Sequence, residues 1–163
     1  DTRHKSWQGM MRCYDEDSNA TSVRDIAQRI LNELSSPDDL KAEGLVKMGK
    51  WDYHEGKNDE ASKKFKEVIE KYNNQYTAEA KYREAQILLD QKEYTACQDA
   101  CYEVLDYYSA YDYWLGKSMN LLGHAYLESG DEFNAKATWQ SVIENFTEEQ
   151  IVEEAKSNLD ELK

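Results

Sequence analysis

Apolar positions along this chain recur at three- and four-residue intervals, the spacing that lines one stripe of an α-helix. The stripe is written four times in the same order. Phe65-Lys-Glu-Val68-Ile69-Glu-Lys-Tyr72 returns as Cys101-Tyr-Glu-Val104-Leu105-Asp-Tyr-Tyr108 and as Trp139-Gln-Ser-Val142-Ile143-Glu-Asn-Phe146, with a weaker copy at Ala27-Gln-Arg-Ile30-Leu31-Asn-Glu-Leu34. Four positions ahead of the copies stand Ala61, Cys97, Ala135 and, in the weak copy, Val23. Twelve positions before these come Gly49, Ala85, Gly123 and Met11. The copies start 38, 36 and 38 residues apart, yet this internal ruler never changes. All variation in length falls between copies, where a helix–helix connection absorbs it.

Polar bends divide each unit into two stripes: Glu55-Gly56-Lys57-Asn58-Asp59, Asp90-Gln91-Lys92-Glu93 and Ser129-Gly130-Asp131-Glu132. Gly130 suits a helix end and Asp131 the cap of the next helix. The pattern predicts helix pairs at about 4–17 and 20–34, 38–55 and 58–72, 76–91 and 93–108, and 112–129 and 131–146. A ninth helix is expected at about 148–162, with Ile151, Val152, Ala155, Leu159 and Leu162 on one side and acidic residues elsewhere. A small residue in one helix and another in its partner let the two approach closely, and the large aromatic one turn later fills the groove. One such hairpin cannot bury both its faces, so it stacks on neighbours, and the polar-backed ninth helix closes the stack.

This register resembles the tetratricopeptide repeat family, whose motif runs Trp-x2-Leu-Gly-x2-Tyr, then Ala-x3-Phe and a closing Pro. The fullest match is Leu122-Gly123-x2-Tyr126 with Ala135-x3-Trp139; Trp7-x2-Met10-Met11-x2-Tyr14, Met48-Gly49 with Ala61-x3-Phe65, and Ala85 with Cys97-x3-Cys101 supply the rest. Val or Ile stands where the family has a small residue three after the aromatic, and the closing proline is missing. The resemblance implies an all-α, right-handed superhelical solenoid of four hairpins (about 4–34, 38–72, 76–108 and 112–146) plus the capping helix, in a single domain over residues 1–163. Repeats of this longer flavour are similar to those of bacterial cell-envelope assembly proteins, which implies that compartment by resemblance alone. Residue 1 is Asp and helical patterning starts almost at once, so the chain is expected to be a piece of a longer protein.

Composition agrees with a helical stack. There is one proline and there are seven glycines, with only six valines and six isoleucines, too few turn and β-branched residues for a sandwich or barrel. The balance of 20 Lys+Arg against 33 Asp+Glu leaves a formal charge of −13, which repels phosphate backbones and argues against nucleic-acid partners. No apolar run reaches membrane-spanning length.

Candidate chemistry is sparse. Gly44-Leu-Val-Lys-Met-Gly49-Lys50 has the glycine and lysine spacing of a phosphate-binding loop, but Trp51 replaces the required Ser or Thr and the register puts the segment inside a helix. Cys97 and Cys101 fall on packed repeat positions and read as core thiols. Asp15-x-Asp17-x-Asn19 starts like a calcium loop but has Ala20 at the glycine position and Ile26 at the glutamate, so a bend and helix cap fits better. His4, His54 and His124 form no metal-ligand pattern, and no nucleophile, base or metal set converges; no cofactor, no metal and no catalysis are expected.

Function is expected in the groove that the resemblance implies. Its register positions are Lys5, Gln8, Arg12; Val46, Lys50, Tyr53, His54; Tyr82, Gln86, Leu89, Asp90; and Asn120, His124, Leu127, Glu128. Arg12, Lys50, Tyr53, His54, Tyr82, Gln86, Leu89, Asn120 and His124 are the expected partner contacts. A subset of the family grips a C-terminal carboxylate with Lys and Asn, whereas Val46/Lys50, Tyr82/Gln86 and Asn120/His124 do not reproduce that clamp. The expected partner is an extended or helical peptide or a protein, neutral or basic rather than acidic. Tyr111, Tyr113 and Trp114 lie in the connection to the fourth hairpin, either plugging a gap or forming a contact patch. Two rivals stand beside this reading: a structural segment of a longer array, self-associating through an exposed Trp7/Met10/Met11 surface, and small-molecule binding near His54 and Tyr82.

Overall fold

A computed structural model describes residues 1–162; Lys163, the last residue of the expected domain, lies outside them. Among the described residues there are nine helices and no strand. They are α1 (Thr2–Glu16), α2 (Ala20–Asn32), α3 (Asp38–His54), α4 (Asn58–Lys71), α5 (Gln75–Asp90), α6 (Tyr94–Tyr107), α7 (Asp112–Glu128), α8 (Glu132–Asn145) and α9 (Glu149–Asp160). The chain forms two compact units, Asp1–Ala80 and Lys81 onward, with the division inside α5.

The four bends that turn a first helix into its partner share one backbone solution. Ser18, Gly56, Lys92 and Gly130 have φ of +56°, +77°, +63° and +91°. The N–H of each of these residues bonds to the carbonyl three back, at 2.9–3.2 Å, on Asp15, Tyr53, Leu89 and Leu127. The following N–H groups of Asn19, Lys57, Glu93 and Asp131 reach five back, at 2.8–2.9 Å, to Tyr14, Asp52, Leu88 and Tyr126. This paired closure satisfies carbonyls at the helix end that would otherwise lack donors. Asn19 and Asp131 then cap the next helices, accepting from the N–H of Ser22 and Asn134 at 3.1 Å each. Glycine marks two of the bends in sequence; Ser18 and Lys92 hold the same left-handed conformation without it.

In the first unit, Met11, Val23, Ile26, Ala27, Ile30 and Leu40 are buried together, with Trp7, Tyr14, Met48 and Trp51 packed against them. Glycine here admits a ring rather than a second backbone. A Cβ on Gly49 would stand 2.6 Å from Cε1 of Phe65, and one on Gly123 would stand 2.3 Å from Nε1 of Trp139. The aromatic of the partner helix therefore lies directly on the glycine, and the sequence expectation of close backbone approach is corrected to that extent. Gly44 is the case where two backbones do come close, with Ala27 3.4 Å from the position its Cβ would take.

The second unit has two apolar clusters. Tyr82, Ala85, Cys97, Cys101, Leu121, Leu122 and Ala125 form one. Ala135, Trp139, Val142, Ile151 and Ala155 form the other, which docks α9 on α7 and α8. Asn120, fully buried, donates from Nδ2 to the Ile151 carbonyl at 3.0 Å, while its own carbonyl accepts from Trp139 Nε1 at 3.1 Å. Three helices are thus keyed together at one residue.

Candidate functional site

The face carrying the expected contacts in the first unit is organised around two buried or half-buried carboxylates. Glu43, on α3, is 2% exposed and accepts four hydrogen bonds. These come from Gln8 Nε2 (2.7 Å), Arg12 Nε (2.6 Å), Arg12 Nη2 (3.0 Å) and the Tyr76 hydroxyl (2.8 Å). Burial pushes the Glu43 carboxyl up, but the bonds from Arg12, Gln8 and Tyr76 outweigh it and hold the group below the usual carboxylate range. Burial first, and the adjacent Glu43 charge second, push the Tyr76 hydroxyl up to about 12. Both groups therefore keep the protonation states that make the network throughout neutral pH.

Asp15, on α1, has a matching role nearby. It accepts from Lys47 Nζ (2.7 Å), Trp51 Nε1 (2.9 Å) and Lys50 Nζ. Burial opposes its ionised form, and the hydrogen bonds from Lys47 and Lys50 more than reverse that, so its carboxyl is held low. Asp52, buried on the opposite side of α3, accepts from Arg24 (2.8 Å) and Lys64 (2.5 Å). Arg12 and Lys50 are therefore engaged internally. Tyr53 and His54 form a tilted ring pair at 5.9 Å, with Tyr53 half-buried and His54 exposed.

In the second unit the expected contacts divide by depth. Tyr82 lies in the core, its ring 5.6 Å from that of Trp114 and 5.8 Å from Lys117 Nζ. Asn120 is keyed between helices as described. Burial removes both from the expected contacts, because a face that meets the next helix cannot also meet a ligand. Val46, on the same register in the first unit, is buried as well. Gln86, Leu89 and His124 are half-buried, with His124 edge-on to Trp139 at 5.1 Å. Tyr113 and Trp114, expected in a connection, lie in the first turn of α7, with Tyr111 just ahead of it. Trp114 and Tyr111 are half-buried, while Tyr113 is 38% exposed and stands edge-on to Trp114 at 4.8 Å.

Sequence reasoning does not single out Glu43 or Lys117. Each lies three positions ahead of a residue that it does, Val46 and Asn120, so the same register extended by one helical turn points to them. The expected self-association surface is mostly internal: Met11 is fully buried and Trp7 packed against it, leaving Met10 at 42% exposure. The phosphate-loop spacing at 44–50 lies wholly within α3, and Cys97 and Cys101 are core residues. Among the described residues, no group of three His, Cys, Asp or Glu is placed to hold a metal ion, and no helix is long and apolar enough to cross a membrane.

Comparison with curated proteins gives no match. A family model described as a tetratricopeptide repeat-like domain matches residues 6–163, which takes in the four-fold register and the ninth helix after it. With its hairpins, glycine–aromatic contacts and capping helix in that order, the chain belongs to the tetratricopeptide repeat-like family.

Proposed function

We propose that the chain is a non-catalytic interaction scaffold that captures a neutral or basic peptide or protein segment on the first-helix face of its hairpins. The observation that carries this reading is the division of labour on that face. Charged side chains near the helix middles are consumed in the Glu43 and Asp15 networks, which fix the surface in advance. Tyr53 and His54 on the first helix in the first unit, and Gln86, Leu89 and His124 on first helices in the second, retain partial exposure. A surface fixed before binding loses little entropy on capturing a partner. Aromatic and imidazole groups supply contact area with few rotatable bonds.

The test compares wild type with Tyr53→Ala/His54→Ala/Leu89→Ala/His124→Ala in affinity capture from native extract. A control variant, Gln28→Ala/Lys63→Ala, changes exposed positions on second helices. Proteins held by wild type and control but lost by the four-site variant, at unchanged melting temperature, support the proposal. Identical partners on all three would refute it.

A further inference from the structure

A cleft of about 420 Å³ opens in the second unit where the end of α6, the start of α7 and the end of α8 meet. Its volume lies in the range of about 300–1,000 Å³ typical of sites that seat a ligand or an anchoring side chain. Leu115, Met119 and Phe146 are half-buried in it, and Leu105 and Tyr113 stand at 37% and 38% exposure. Tyr107, two residues beyond Leu105, is 76% exposed. The aromatic is particular to this hairpin: the register equivalents of Tyr113 are Asp39 in the second hairpin and Gln75 in the third.

The charge around the cleft has one sign. Asp112 and Glu148 line it, no Lys or Arg among the described residues does, and Asp106 follows Leu105 in sequence. All three carboxylates are exposed, and none forms an ion pair with another described residue. The neighbouring cation, Lys117, is already paired with Glu154 at 2.9 Å. Asn145 donates from Nδ2 to the Ser141 carbonyl at 2.8 Å, which leaves its Oδ1 as a further acceptor. An apolar hollow bordered by acceptors without cationic donors is complementary to an apolar side chain flanked by Lys or Arg.

We propose that this cleft is a second docking surface, separate from the first-helix face, and that it seats an apolar anchor of a basic amphipathic segment from a partner protein. The apolar contact supplies the residence time, and the unpaired carboxylates select sign and speed the encounter.

The probe is a short fluorescein-labelled amphipathic peptide of Leu and Lys, with Leu/Glu and Lys/Ser peptides of equal length as comparisons. Binding to the full chain is followed by anisotropy and by amide chemical shifts. The Leu/Lys peptide should bind at least about tenfold more tightly than either comparison. Its affinity should fall as ionic strength rises, and shifted amides should cluster in 105–119 and 141–148. Tyr113→Ala and Asp112→Asn/Glu148→Gln should each weaken it about tenfold. Gln28→Ala/Lys63→Ala, at exposed second-helix positions away from both surfaces, should bind as wild type does. If Tyr113→Ala perturbs the fold, the charge variant, confined to exposed side chains, decides the matter. Equal binding of the Lys/Ser peptide, shifts elsewhere, or an unaffected charge variant overturns the proposal. So does uptake of an uncharged apolar dye by the cleft without any peptide binding.

Discussion

Gly123→Ala isolates the contact on which the fourth hairpin is built. The added Cβ would stand 2.3 Å from Nε1, 2.4 Å from Cε2 and 2.8 Å from Cδ1 of Trp139. Ordinary contact needs about 3.5 Å, so ring or helix must retreat by about an ångström. Neither has slack. Trp139 is 1% exposed, and its indole N–H is committed to the Asn120 carbonyl at 3.1 Å. Overpacking of this kind costs about 1–3 kcal/mol. Pulling the indole off its buried acceptor costs about 1–3 kcal/mol more. Replacing glycine within a helix returns about 1 kcal/mol. The expected net loss is about 3 kcal/mol, read as a lower urea midpoint by far-UV circular dichroism and tryptophan fluorescence.

Gly9→Ala is the control, since nothing lies within 4 Å of its Cβ position, and it should be neutral or stabilising by up to about 1 kcal/mol. In a Trp139→Phe background the five-membered ring is gone, and the Gly123→Ala penalty should shrink by more than about 1 kcal/mol. Wild-type stability of Gly123→Ala, or strict additivity in that cycle, would refute the ring-on-glycine account.

Other perturbations test the remaining supports. Because the Glu43 carboxyl is held low in the folded chain, its contribution is present above the unfolded value of about 4.3 and is lost as pH falls through the lower folded value. Glu43→Gln should cost about 1–3 kcal/mol at neutral pH and flatten the acid limb of a stability–pH profile; an unchanged acid limb would contradict this. Lys92 sits at φ +63°, so Lys92→Gly should stabilise by up to about 1 kcal/mol in urea titration, whereas an equal loss would show that the side chain contributes more than its strain. Deleting residues from Glu148 onward removes Ile151 and Ala155 from the second cluster and the acceptor of Asn120; the melting temperature should drop by several degrees, and an unchanged value would mean that α9 caps nothing.

Much of the fold was legible in the chain because its signals are local. Helix number, type and approximate ends follow from three-four apolar spacing, and the pairing follows from an internal ruler that the connections leave untouched. Even bends without glycine at the turn position, at Ser18 and Lys92, occupy the place the ruler assigns. The surface was less legible. Tyr82 and Asn120 read as groove positions in sequence, yet one lies against Trp114 and the other under α9. Arg12 and Lys50 read as partner contacts in sequence, but each is paired within the chain, with Glu43 and Asp15.

Sequence alone thus determined which residues turn toward a partner helix, since periodicity is a property of each helix by itself. Tertiary structure decided which of the outward residues stay available. That depends on what stands opposite, 31 to 35 positions away in the chain for the Glu43 pairings with Arg12 and Gln8, and no local pattern encodes a neighbour at that distance. The same holds for the acidic-edged cleft, whose sides come from residues near 105, 112–119 and 141–148 and which exists only once three helix ends are brought together.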